Sequence, residues 1–292
     1  MLRFIRWLAL HVSESAARAC LYPVTAYFLA VRRSERRASR HYPRRVFNHE
    51  PGLLQVARHI HTFATTILDR VFLLTGRFNA ERVRVHGLPE LRAHLDAGRG
   101  VLLLGAHLGS FEAVRAVGLA HQQVTVRILM DYQHNPKLST VLDALNPRAR
   151  ASIIDAGGDA TQVLLQMHET LDAGGLVGIL ADRFRSDEPT LPCTLLNAPV
   201  ALPTSPFRLA AVLGKPVMLI FGMLRNDHTY DVYFEPFTDQ LVLGKRGERQ
   251  QALQTCMQRY TARLEARLRE APYNWFNFYD YWSTATTDNP HR

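Results

Sequence analysis

The sequence predicts an α/β fold, a mixed central sheet flanked by helices, with a helical segment ahead of it. Three observations carry this expectation. From about residue 81 onward, short and wholly apolar runs alternate with segments of helical periodicity. Gly, Pro and Asp turn signals bound those runs. At 292 residues, 47% of them hydrophobic, the chain can bury a sizeable core, and it has no internal repeat and no Gly/Ser-rich linker. Apolar strands separated by amphipathic helices build a sheet covered on its faces by those helices.

The first segment, residues 1–50, is basic and amphipathic, and residues 51–292 form the α/β domain. Ten Arg and three Glu place +7 of the total +9 charge in the first 50 residues, so the body is nearly neutral. A nucleic-acid binder spreads cationic charge over its folded surface, and no nucleic-acid module is evident, so that class is excluded. Residues 19–31 are uncharged but too short for a spanning helix, which needs roughly 20 apolar residues; Pro23 and the flanking Arg18 and Arg32 disfavour one further. An interfacial segment fits this pattern, with aromatic and aliphatic groups at the headgroup boundary and arginines toward anionic lipid. A helix pair packed on the domain fits residues 19–31 equally well. His11, Ser13 and Glu14 interrupt what would be the apolar core of a secretory signal.

Residues 53–78 have helical spacing and read as a packing helix whose histidines, Arg70 and Arg77 could line an entrance. Strands are then expected at 101–104, 124–130, 152–154, 176–180, 216–223 and 230–234. Helices are expected at 111–121, 136–145, 160–173, 206–213 and 248–270. Residues 272–282 hold seven aromatics in eleven positions and are expected to seal the core behind the last helix.

Candidate chemistry gathers at strand ends, where ligands of open α/β sheets collect. The run 101–104 ends in Gly-Ala-His107, and Glu112 follows in the first turn of the next helix, with Gly105 and Gly109 bending the chain and Ser110 as N-cap. A carboxylate holding one ring nitrogen of His107 makes the other a general base. The strand at 176–180 ends in Asp182-Arg183. Either this is a solvated ion pair, or Arg183 holds a phosphate or an oxyanion while Asp182 orients it. Thr204 and Ser205 precede a Pro at a helix start, which either binds an anion or caps itself. Cys20, Cys193 and Cys256 are far apart and require no oxidising compartment. With no H-E-x-x-H or Cys/His cluster, no metal is expected.

Taken together, these blocks resemble the lysophospholipid acyltransferase superfamily, and within it the bacterial lipid A lauroyl and myristoyl transferases. His107 and Glu112 look like that family's H-x4-E motif. Residues 178–183 (Gly-Ile-Leu-Ala-Asp-Arg) resemble its second block, and 202–210 its Pro-rich third. Residues 263–277 resemble its closing helix and aromatic tail. Residues 68–77 are more similar to a branch associated with glycosyltransferase partners and aryl-polyene or glycolipid pathways. The chain departs from the family pattern at Ser205, often Gly; at 196–199, usually a Phe-Gly-rich loop; and at Asp280, commonly Arg or His.

The resemblance implies a glycerol-3-phosphate acyltransferase-like fold. It also implies O-acyl transfer from a thioester, on acyl carrier protein or coenzyme A, to a hydroxyl of a lipid A-like glycolipid. His107 and Glu112 would be catalytic, and Arg183, Asp182, Thr204 and Ser205 substrate-binding, with no cofactor. The implied location is the cytoplasmic face of the bacterial inner membrane, peripheral or shallowly inserted. A membrane-bound thioesterase or hydrolase using the same dyad is the alternative, and a non-catalytic lipid-binding scaffold ranks last. No G-x-S-x-G elbow is present, so no acyl-enzyme nucleophile is expected.

Overall fold

A computed structural model describes residues 13–114, 124–132, 150–185 and 187–282. The expected helix at 136–145 and most of that at 111–121 lie outside the described residues. Ahead of the sheet come α1 (Glu14–Ala19), α2 (Leu21–Val31), α3 (Arg33–Phe47) and α4 (Leu53–Leu74). The sheet region then runs β1 (Val83–His86), α5 (Leu88–Asp96), β2 (Val101–Gly105), β3 (Val126–Met130), β4 (Ile153–Asp155), α6 (Ala160–Asp172) and β5 (Leu176–Leu180). It continues with β6 (Thr190–Leu195), β7 (Ala198–Pro203), α7 (Ser205–Leu213), β8 (Val217–Leu224), β9 (Tyr230–Thr238) and α8 (Arg249–Glu270).

Seven strands form one sheet in the order β1-β9-β8-β2-β5-β3-β4, parallel except where β9 runs antiparallel to β8. The α/β class and the mixed central sheet flanked by helices, as read from the sequence, are therefore the observed ones. β2 lies at the centre and is buried along its whole length, as a strand covered on both faces must be. Its alternate side chains feed two cores. Leu102 and Leu104 pack with residues of α6, α7 and α8 on one face; Val101 and Leu103 pack with Leu91 of α5 and Tyr230 of β9 on the other.

Four elements of the sheet region, β1, α5, β6 and β7, escaped the sequence reading. β1 and α5 are short, and α5 is entered through Gly87 in the left-handed region with a Pro in its first turn. β6 and β7 form a separate antiparallel hairpin around Leu196 and Asn197, both left-handed (φ 51° and 59°), the geometry of a two-residue primed turn. Leu196 is not a usual residue for that conformation; burial of its side chain and a 2.7 Å hydrogen bond from its N–H to Glu265 Oε2 hold it there.

The helices ahead of the sheet pack onto the body. In α1, Arg18 reaches the buried Asp69 of α4 at 2.6 Å and also binds Glu14, while Tyr230 of β9 donates to the other Asp69 oxygen at 3.0 Å. Burial pushes the Asp69 carboxyl up to about 6 against the opposing pull of Arg18. Tyr22, Tyr27 and Val31 of α2, and Leu53 and Leu54 at the start of α4, remain exposed. Among the described residues no helix is long and apolar enough to cross a membrane.

His59 of α4 ties these helices to the C-terminal tail. It is fully buried; Nε2 donates to the Trp275 carbonyl at 2.8 Å, which leaves Nδ1 to accept from Ser39 of α3 at 2.7 Å. Burial lowers the imidazole pKa to about 4, outweighing those two hydrogen bonds. A pKa depressed below the ordinary 6.5 gives stability that is complete above pH 6.5 and lost as pH falls through 4. Asp69, with its raised pKa, contributes with opposite sign over the same window. The comparison with His59→Gln cancels that contribution. In urea unfolding, the stability difference between wild type and this variant is expected to shrink by on the order of 3 kcal/mol between pH 7 and pH 4. A pH-independent difference would contradict the assignment.

Candidate active site

The register of two neighbouring parallel strands creates the site. Gly105 of β2 pairs with Leu180 of β5, so His107 and Asp182, each two residues further on, leave the sheet side by side. Gly109 then turns the chain with φ +72° and passes so close to β8 that a Cβ would lie 1.8 Å from the Gly222 carbonyl oxygen. Only glycine fits there. Ser110 donates its N–H to that same carbonyl at 2.7 Å, and its hydroxyl accepts from Ala113 N at 3.3 Å, beginning the helical turn at 111–114.

His107 Nδ1 lies 2.8 Å from Asp182 Oδ1, and the His107 backbone N–H donates to Oδ2 at 3.0 Å. A carboxylate only accepts, so the ring proton sits on Nδ1 and Nε2 carries the lone pair. Nε2 has no hydrogen bond among the described residues, and the His107 side chain keeps 30% of its exposure while Asp182 keeps none. Trp275 Nε1 at 3.0 Å and Asn277 Nδ2 at 3.3 Å also donate to Asp182 Oδ2, and Tyr281 donates to the Asp182 carbonyl at 2.6 Å. Burial alone would raise the Asp182 carboxyl. The His107 imidazole and the nearby Arg183 charge, with the hydrogen bonds from His107, hold it well below the usual carboxylate range.

The aromatic tail builds the opposite wall. Phe276 N–H donates to His107 O, and Gly109 N–H to Asn274 O. The Asn274 side chain clamps both backbone groups of Leu224 at the end of β8. Arg183 donates Nε to Asn277 Oδ1 at 2.6 Å and Nη2 to Phe276 O at 2.8 Å. A model of the bacterial lipid A biosynthesis acyltransferase family matches residues 54–284, a span holding His107, Asp182, Arg183 and this tail. The chain belongs to that family. It is an acyltransferase by family, and no curated protein matches it.

In this lipid A biosynthesis acyltransferase, three expected roles differ from the observed contacts. The carboxylate on His107 Nδ1 is that of Asp182, whereas Glu112 turns to Arg70 of α4, with Nε 2.9 Å from Oε1, and leaves its Oε2 buried without a hydrogen bond. Physically, the adjacent strands bring Asp182 to the ring from below, while the first turn after Ser110 carries Glu112 toward α4. Asp182 is covered by protein and faces His107, so it is not exposed to a substrate. Nor do the hydrogen bonds of Arg183 go to Asp182; they go to the tail.

Thr204 is buried and spends its hydroxyl on the Pro189 carbonyl, and Ser205 opens α7. The described contacts bring neither to His107. Trp275 and Asn277 were read as core sealing, yet both donate to Asp182. Two asparagines set among seven aromatics were the available signal, since a buried amide needs a partner. Among the described residues no three His, Cys, Asp or Glu side chains converge as a metal site requires.

Asp182→Asn is expected to remove the preference for the Nδ1–H tautomer. In 15N NMR, with His107→Gln identifying the resonance, wild type should give a single Nδ1-protonated species and the variant a shifted tautomer ratio. Unchanged His107 nitrogen shifts would remove Asp182 from this role.

Proposed function

We propose that this acyltransferase moves a fatty acyl group from a thioester, on acyl carrier protein or coenzyme A, to a hydroxyl of a membrane glycolipid. The His107 and Asp182 pair carries the reading: a partly exposed imidazole with its lone pair outward and its other nitrogen on a buried carboxylate, in a chain whose family consists of acyltransferases. His107 Nε2 takes the proton of the acceptor hydroxyl as that oxygen attacks the thioester carbonyl. The tetrahedral intermediate collapses with loss of the thiolate, which recovers the proton from Nε2, so no covalent enzyme intermediate is needed. Asp182 stays ionised throughout and stabilises the imidazolium, as its lowered pKa favours.

Arg183, held by two hydrogen bonds to the tail, is the cation we assign to the oxyanion or to an acceptor phosphate. We assign Glu112 and Arg70 to holding the first turn after His107 in place. Thr204 and Ser205 then have no substrate role in this reading.

The exposed Tyr22, Tyr27, Val31, Leu53 and Leu54, together with the arginines of α3, support a peripheral seat on the anionic cytoplasmic face of the inner membrane. Partial exposure of His107 equally allows water to be the nucleophile, giving a thioesterase.

The test is transfer from labelled acyl carrier protein or acyl-coenzyme A into a bacterial total lipid extract. Labelled lipid is expected with wild type. His107→Ala and Asp182→Asn should each lower the rate by about 10²- to 10⁴-fold. Glu112→Gln should cost less than Asp182→Asn. Free fatty acid as the sole product would establish the hydrolase instead, and full activity of Asp182→Asn with an inactive Glu112→Gln would return the dyad to Glu112.

A further inference from the structure

A second concave surface lies on the flank of the molecule, a groove of about 760 Å³ between the start of β6, the outer side of α7 and residues 240–253. Three arginines line it: Arg208 of α7, Arg246 of the loop before α8, and Arg249 at the start of α8. No Asp or Glu lines it, and none of the three arginines has a carboxylate partner among the described residues. Glu248, their nearest acidic neighbour in the chain, turns its carboxylate to the Lys245 backbone.

The molecule's other groove holds carboxylates beside its arginines. The groove of about 520 Å³ lined by Arg58, Arg84 and Arg225 also carries Asp227 and Glu270; Arg84 and Arg225 pair with these and with Asp231, and Arg58 donates to Asn226. The uncompensated +3 of the flank groove therefore stands out. Beside it, Val212 and Val242 are 66% and 70% exposed, over a floor that includes the buried Leu241 and Leu253. Unpaired guanidinium groups beside exposed apolar side chains in a trough are complementary to a helix with acidic and apolar residues on one face.

The position of Pro189 fits this use. Pro189, which lines it, is six residues beyond Arg183, a stretch of chain that spans at most about 20 Å. A partner seated there needs a flexible arm to bring a reacting group to His107. The membrane-facing candidates, Tyr22, Tyr27 and Leu54, are on α2 and α4 and protrude, whereas the groove is concave, which suits a protein helix better than a bilayer.

Resting on the acyl-transfer reading, we propose that the Arg208, Arg246 and Arg249 groove docks the acidic helix of the acyl carrier protein that delivers the thioester. The N-terminal arginines are then left to the lipid surface.

The experiment measures binding of a fluorophore-labelled, acyl-loaded bacterial acyl carrier protein to the full chain by anisotropy. Wild type is compared with the combined Arg208→Glu, Arg246→Glu and Arg249→Glu variant, and circular dichroism checks the fold. Binding to phosphatidylglycerol vesicles and transfer from acyl-coenzyme A are followed in parallel. Carrier affinity is expected to fall by about tenfold or more and to depend on salt in wild type, with vesicle binding and coenzyme A-supported transfer unchanged.

Unchanged carrier affinity, or no carrier binding by wild type, overturns the proposal. So does a parallel loss of vesicle binding, which would make the groove a lipid contact, or a raised KM for acyl-coenzyme A, which would make it a coenzyme phosphate site. If wild type uses no thioester at all, acyl transfer itself fails, and the carrier affinities still decide the groove.

Discussion

The buried carboxylate of Asp182 is the constraint on which the rest of the site depends. An ionised carboxylate removed from water costs several kcal/mol unless its oxygens are filled with donors. Here they accept from His107 Nδ1, the His107 backbone, Trp275 and Asn277. Those donors come from two regions far apart in sequence, one loop at the end of β2 and one tail after α8, and each is fixed because the charge requires it. His107 gains its tautomer from this arrangement, and Arg183 gains its orientation from the same tail. The geometry of the candidate site and its stability are thus coupled through one group.

Two close backbone approaches make that arrangement possible. Gly109 and Gly222 pass with no room for a side chain, which brings the turn after His107 against β8, and Asn274 completes the seam by pairing with Leu224. Tyr260 of α8 donates to the carbonyl of Gly105 at 2.8 Å, which adds a third anchor beneath the histidine. The tail is therefore a working wall of the site, reaching from the sheet to His59 of α4.

Much of this was legible from local pattern, and what was missed is mostly non-local. The apolar runs of β2, β5 and β8 announced buried strands, and the Gly-rich bend after β2 singled out His107. Asp182 was visible as a charged residue at a strand end, but its partner was not. Its chain neighbour is Arg183, and only the β2 to β5 register shows that it faces His107. Glu112 attracted the role because it is close in sequence, while its actual partner, Arg70, is on a helix 42 positions earlier. The β6 to β7 hairpin was hidden by its chemistry: prolines at 192, 199 and 203 argue against strands, and Leu-Asn is an unfamiliar pair for a primed turn.

The distribution of positive charge follows from the same physics. Several arginines that tie elements together are paired with carboxylates: Arg18 with Asp69, Arg225 with Asp231 and Glu270, Arg267 with Glu235. Each couples an element to its neighbour, and the Asp69, Asp231 and Glu235 carboxylates are largely covered. An arginine left without a carboxylate contributes nothing of this kind to packing and adds self-repulsion to a chain already at +9. Three such residues converge on one trough beside two exposed valines, where their charges repel one another. That repulsion is relieved when an acidic partner occupies the trough, so that the charge unbalanced in the free chain is balanced in a complex.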